Sequence, residues 1–160
     1  MNAVPNLVIR RPNPVSFAAE TEIVTRLFLD ARRTAFPKLK MVHTDEETLA
    51  WMRDIVFPRR SIRIAQLGSE IVGFAARDGA WLEHLYVRVG WTGRGIGREL
   101  LDTMIVEAKM VTPVLRLYTF QSNAGGRRFY ERHGFTVVAT GDGSSNEEAE
   151  PDIRYERTIR

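Results

Sequence analysis

In the stretch WTGRGIGREL (residues 91–100), glycines stand at 93, 95 and 97, just where an apolar period announces a helix. Each glycine weakens a helix by roughly 1 kcal/mol relative to alanine, so three in alternation imply that something must come close to the backbone there. The first turn of a helix offers unpaired N–H groups and a partial positive charge, and phosphate is the group such a turn best accommodates. Two familiar phosphate loops do not fit. The P-loop ends in Gly-Lys-Ser/Thr where this chain has Gly97-Arg98-Glu99, and the dinucleotide fingerprint needs a glycine at Arg98. A glycine-rich turn with no ligand is the plain structural alternative for the stretch by itself.

The composition narrows the chemistry further. With no cysteine among 160 residues, disulfides, thiolate metal sites and a cysteine nucleophile are excluded, and no metal site is expected. Net charge is +3, yet the segment DGSSNEEAEPD (142–152) holds five acids and no base, which leaves 23 bases against 15 acids elsewhere. Such an excess suits an anionic ligand. The N-terminal region lacks the basic start and apolar run of a signal peptide, and no stretch approaches the ~20 apolar residues of a membrane span. A soluble, cytoplasmic protein with no membrane partner is expected.

The elements that must position these residues follow from periodicity and punctuation. LVIRR (7–11) predicts an edge strand closed by Pro12 and Pro14, and Phe17, Ile23, Leu27, Phe28 and Ala31 recur at helical spacing over 16–35. Thr44 and Glu47 predict a capping box for a second helix that runs through Leu49 and Trp51 towards Pro58. SIRIAQL, EIVGFAAR and WLEHLYVR, separated by Gly68-Ser69 and Asp78-Gly79, predict an antiparallel meander. A helix over 93–110 follows, with Ile96, Leu100, Met104 and Ala108 in one stripe and Pro113 as its stop. Then come a strand at 114–120, a helix from the N-cap Asn123 to Gly134, and the closing strands FTVVAT and IRYERTI. Strand 81–88, helix 93–110 and strand 114–120 predict a right-handed crossover that sets two strands parallel in an otherwise largely antiparallel sheet. The length fits one domain, 1–160, of the α/β (α+β) class.

LYVRVGWTGRGIGRELL resembles the acetyl-CoA motif of the GNAT superfamily of N-acetyltransferases, and NAGGRRFYERHGF (123–135) resembles that superfamily's later Asn…Phe-Tyr…Gly-Phe element. The resemblance implies the GNAT fold: a central mixed, mostly antiparallel sheet of six to seven strands, helices on both faces and a parallel βαβ cofactor unit. It further implies acetyl-CoA as acetyl donor, lying where strands 81–88 and 114–120 splay apart. Its pyrophosphate would rest on the backbone of Gly93, Arg94, Gly95, Ile96, Gly97 and Arg98, with the two arginines adding charge. Its pantetheine arm would pair with Leu85, Tyr86 and Val87, and Asn123 and Phe129 would line the far side. Two positions depart from the family pattern: Thr92 stands where Gln or Arg is preferred, and Gly126 where alanine is usual.

The implied activity is transfer of an acetyl group to a primary amine, small-molecule or peptide, by direct attack in a ternary complex. An alkylammonium with a pKa near ~10 must lose a proton before it attacks, so the reaction asks for a base. The leaving thiolate asks for an acid, and the oxyanion for a backbone N–H, here near Leu85 to Val87. By position in the motif Tyr130 is the implied acid, and Glu83, on the strand before the loop, the implied base, directly or through water. Strand alternation sets Trp81, Glu83, Leu85 and Val87 on one face and Leu82, His84 and Tyr86 on the other, where His84 reads as a packing histidine. His133 suits a helix C-terminus. His43 lies in the region that shapes the acceptor pocket in the superfamily, and Glu147, Glu148 and Asp152 would draw in a cationic amine. A solvated hairpin loop is the structural alternative for that acidic segment.

Two other classes are weighed. A non-catalytic acyl-CoA-binding sensor on the same fold would keep the glycines and dispense with Tyr130. A nucleic-acid binder is disfavoured, because the arginine pairs 10–11, 32–33, 59–60 and 127–128 fall on separate elements and no helix-turn-helix or zinc pattern is present. The motifs leave the acceptor open. Many members of the superfamily are dimers, so a homodimer is compatible with the sequence.

Overall fold

The computed structural model describes residues 4–160, so of the expected domain Met1 to Ala3 lie outside the described residues. Seven strands form: β1 (Leu7–Arg10), β2 (Ser61–Leu67), β3 (Glu70–Asp78), β4 (Trp81–Val87), β5 (Val114–Phe120), β6 (Thr136–Gly141) and β7 (Asp152–Thr158). The helices are α1 (Phe17–Ala35), α2 (Asp45–Trp51), α3 (Phe57–Arg59), α4 (Ile96–Ala108) and α5 (Ala124–Arg132). The strands make one sheet in the order β1-β2-β3-β4-β5-β7-β6. Every registered pairing is antiparallel except β4 with β5. This is the expected mixed, mostly antiparallel sheet with a parallel βαβ unit.

Each face of the sheet carries its own core. On one, Leu100, Leu101 and Met104 of α4 pack on Val72, Ala75, Leu115 and Tyr155. On the other, Val24 and Phe28 of α1 pack with Met52 and Val56 on Ile62, Ile64 and Phe74. The helical periodicity read at 17–31 and 96–108 is what lets α1 and α4 each present one apolar stripe.

Several boundaries move for local reasons. The capping box forms as expected, with the Thr44 hydroxyl accepting from the Glu47 N–H at 3.1 Å and the Glu47 carboxylate accepting from the Thr44 N–H at 3.0 Å. The helical path does not stop at Pro58, however: a π-helical turn, Met52–Val56, carries it into α3, whose second residue is Pro58. α4 starts at Ile96 rather than 93, because Gly93 and Gly95 adopt left-handed φ of +76° and +86° that a helix cannot contain. It ends at Ala108 rather than 110, before the turn that leads to Pro113. α5 ends at Arg132, with Gly134 left-handed at φ +86° just beyond.

The alternation expected along β4 is also overturned. A β-bulge interrupts the β3–β4 ladder, where Ala76 pairs with His84 and Arg77 with Leu82, leaving Glu83 unpaired. Leu82 thereby joins Leu85 and Val87 in the α4-side core, while His84 contacts Phe28 and Phe74 on the α1 side. Glu83 lines a cavity together with His84 and Tyr86 instead of standing on the opposite face.

Candidate active site

β4 and β5 share a single registered pair among the described residues, Trp81 with Arg116. Past it the strands diverge, and the backbone of Leu85 to Val87 borders a cleft of about 1000 Å3. α4 opens onto this cleft without any side-chain cap. Its first intrahelical bond runs from the Glu99 N–H to the Gly95 carbonyl at 3.1 Å, so the amides of Ile96, Gly97 and Arg98 precede it and have no acceptor within the helix. Gly97 faces Phe129, and a Cβ there would come into van der Waals contact with its ring at 3.4 Å. Unpaired amides, a helix dipole and the side chain of Arg98 make this end of the cleft fit for an anionic phosphate group.

Of the residues that the resemblance assigns to the cofactor, Leu85, Tyr86, Val87, Thr92, Gly93, Gly95, Ile96, Gly97, Arg98, Asn123 and Phe129 line this cleft. Arg94 is not in the lining; its guanidinium stacks over the Trp91 ring, 4.6 Å from the centroid. His133 also borders the cleft and bonds the Phe129 carbonyl through Nδ1 at 2.7 Å, which fastens the end of α5.

A second cavity, about 800 Å3, opens on the α1 and α2 side of the sheet. It shares Phe36, Leu85, Tyr86, Asn123 and Tyr130 with the cleft, so the two spaces meet at the tyrosines. Tyr130 is held at this junction by α5, which β7 pins in place: the buried Tyr155 hydroxyl donates to the Glu131 carboxylate at 2.6 Å and accepts from Arg127 at 3.3 Å. Burial pushes the Tyr130 phenol well above its ordinary pKa, and the neighbouring Tyr86 adds to the effect, so it keeps its proton.

Glu83, His43, Glu147 and Glu148 all border this second cavity, but each acid has a partner. Arg60 Nε lies 2.5 Å from the Glu83 carboxylate. Arg32 meets Glu148 at 3.2 Å, and His43 Nε2 meets Glu147 at 3.0 Å. That hydrogen bond and the charge of Glu147 raise the His43 pKa. His84 belongs to the same cavity, packed edge-on against Phe28 and Trp51 at 5.5 Å and 5.4 Å. Burial lowers its pKa to about 4, with Arg32 and Arg60 contributing, so the imidazole is uncharged at neutral pH. The sequence reading missed Phe36, Phe120, Trp51, Tyr118 and Arg32 as cavity residues and took His84 for packing alone. Tyr118 and Phe120, two residues apart on β5, were the available signal.

Comparison with known proteins bears on this geometry. A family model described as an acetyltransferase (GNAT) domain matches residues 58–137, from α3 through the glycine loop to the start of β6. The chain belongs to this GNAT family. Among solved structures, this GNAT chain is similar to an N-acetyltransferase from Staphylococcus aureus Mu50, with 20% identity, 97% and 99% of the two chains covered and a TM-score of 0.75. It is also similar to a GCN5-related N-acetyltransferase from Rhodopseudomonas palustris, with 19% identity, 99% of each chain covered and a TM-score of 0.75. A third similar structure is yncA of Salmonella typhimurium with its cofactor acetyl-CoA, with 20% identity, 97% and 95% covered and a TM-score of 0.70. At these identities the likeness is one of fold. No curated protein matches the sequence significantly. Among the described residues no helix is long and apolar enough to cross a membrane, and no group of three or more His, Cys, Asp or Glu side chains could hold a metal ion.

Proposed function

We propose that this GNAT domain is an N-acetyltransferase that uses acetyl-CoA and a primary amine together. The observation that carries the reading is the meeting of two cavities at Tyr130: an anion-fitted cleft on one side and a separate acidic, aromatic cavity on the other. The co-substrate supplies an acetyl thioester. The unpaired amides of Ile96 to Arg98 would hold its diphosphate, and the backbone of Leu85 to Val87 its extended arm. Glu83 takes a proton from the incoming amine, directly or through water. The backbone beside Leu85 donates to the carbonyl oxygen as charge develops, and the Tyr130 O–H protonates the departing sulfur. One C–N bond forms and one C–S bond breaks; the ammonium's first proton leaves through Glu83 to solvent, and its second, released as the amide forms, restores the Tyr130 hydroxyl. The protein needs no covalent intermediate.

The acyl-CoA sensor reading shares the cleft and lacks a use for the second cavity. Calorimetric titration with acetyl-CoA, alongside Gly95→Val, tests the cleft. Gly95 sits at φ +86°; a β-branched side chain there costs at least about 1–2 kcal/mol of strain and fills the loop. Expected are micromolar binding by the native protein and at least about tenfold weaker binding by the variant. Absence of binding by the native protein removes the enzyme reading. Binding without CoA release in the presence of any amine leaves the sensor.

A further inference from the structure

The second cavity opposes the rest of the molecule in charge. Five carboxylates border it, Glu47, Glu83, Glu147, Glu148 and Asp152, against Arg32 and His43, in a chain whose net charge is +3. The five differ in what holds them. Glu83 and Glu148 are matched by arginines, at 2.5 Å and 3.2 Å, and Asp152 accepts from the Asn146 amide at 3.2 Å. Glu147 has instead the imidazole of His43, at 3.0 Å, and that imidazole also faces Glu47 at 3.9 Å. The pair lies at the exposed rim, so a ligand cation can replace His43 without dismantling any buried contact.

The floor makes an independent demand. His84 Nδ1 is buried and has no hydrogen-bond partner, although an unpartnered buried polar atom ordinarily costs on the scale of a lost hydrogen bond. His84 lines the cavity with Glu83, Tyr130, Trp51 and Tyr86, and its ring lies 5.4 Å from that of Trp51 and 6.1 Å from that of Tyr86. At about 800 Å3 the space exceeds what a small monoamine would fill.

Resting on the acetyl-transfer reading above, we infer that the acceptor is a dicationic amine, one nitrogen reaching the floor by His84 and Tyr130 and a second cation taking the place of His43 at Glu147. Its connecting methylenes lie against Trp51 and Tyr86. His43 is faced by Glu147 and Glu148 from the β6–β7 segment and by Glu47 from α2, with Arg32 of α1 behind Glu148. Protonated, His43 competes with the ligand for Glu147. As pH rises it loses its proton and the competition ends, so affinity for the second cation rises with pH.

Binding titrations of 1,5-diaminopentane and pentylamine to the protein with saturating CoA test this, because the two amines share a chain length and differ by one cation. A charge-assisted contact at Glu147 predicts about tenfold tighter binding of the diamine at pH 8. That advantage shrinks towards pH 6 in the native protein, stays flat in His43→Gln, and is largely lost in Glu147→Gln. Equal affinities, no binding of either amine, or an advantage that survives Glu147→Gln overturns the inference. CoA release from acetyl-CoA with pentylamine separates the two claims. A diamine advantage with no release by either amine keeps the dicationic site and removes the transfer reading; release without an advantage does the reverse.

Discussion

The two spaces that meet at Tyr130 are built from different materials. The cofactor cleft is mostly main chain: the diverging edge of β4, the left-handed turns at Gly93 and Gly95, and the first amides of α4. The second cavity is mostly side chain, assembled from α1, α2, β4, β5, α5 and the segment between β6 and β7. Main-chain recognition constrains which residues can be present at consecutive positions, whereas side-chain recognition constrains only how distant residues come together. The cleft therefore suits a ligand shared by a whole family, and the cavity is where one member can differ from another.

The comparison is broken most severely by removing the Tyr130 hydroxyl at the junction. Tyr130→Phe keeps the ring and its packing against Phe135 and Phe129 but deletes the proton donor of the proposed mechanism. General acid catalysis contributes roughly 10²–10⁴-fold, so kcat is expected to fall by about that factor while acetyl-CoA affinity stays within about twofold. Pre-steady-state acetyl transfer and calorimetry read the two quantities separately. Equal losses in both would make Tyr130 a wall of the cleft and nothing more.

A smaller effect, on the side of the second cavity, comes from His84. Its pKa falls from 6.5 to about 4 in the folded protein because burial disfavours the charged ring. Between those values the unfolded chain binds more protons than the native one. The stabilisation is therefore complete above pH 6.5 and is lost as pH falls towards 4. The full shift corresponds to about 3 kcal/mol, an order-of-magnitude figure. Urea unfolding of native protein and His84→Phe across this range should give curves that diverge at low pH, with the variant losing less stability on acidification. Parallel curves would mean that His84 accepts a proton without cost and is not buried against Phe28 and Trp51 as described.

This contrast also explains what was legible in the sequence. Gly93 and Gly95 were readable because a backbone conformation open to few other residues leaves a trace in residue type. The Thr44–Glu47 box and the strands of the meander are local too, and they form as read. Glu83 and His84 were assigned to opposite faces because the bulge that turns Glu83 depends on β3, and no residue of β4 announces it. The His43–Glu147 contact joins residues 104 apart in the chain. Likewise, the Tyr155 hydroxyl that steadies α5 comes from a strand formed after it, so nothing within RRFYERHGF predicts it.

The smallest expected effect lies where the two spaces share a wall. Gly126 departs from the family's usual alanine, and the structure supplies a reason: Asn123 caps α5 by accepting from the Gly126 N–H at 3.0 Å while donating to the Thr119 hydroxyl at 2.9 Å. A Cβ on Gly126 would collide with the Asn123 amide nitrogen and lie 2.7 Å from its Cγ, so alanine must displace the cap. Losing a cap costs about 0.5–2 kcal/mol, and alanine regains up to about 1 kcal/mol of helix propensity over glycine. The two terms nearly cancel, and Tm is expected to move by only a few degrees. Asn123 borders both cavities, however, so its displacement should weaken acetyl-CoA binding several-fold even though stability hardly changes. If Gly126→Ala leaves affinity intact as well, Asn123 serves the helix rather than the site, and the far wall of the cleft is formed by Phe129 without it.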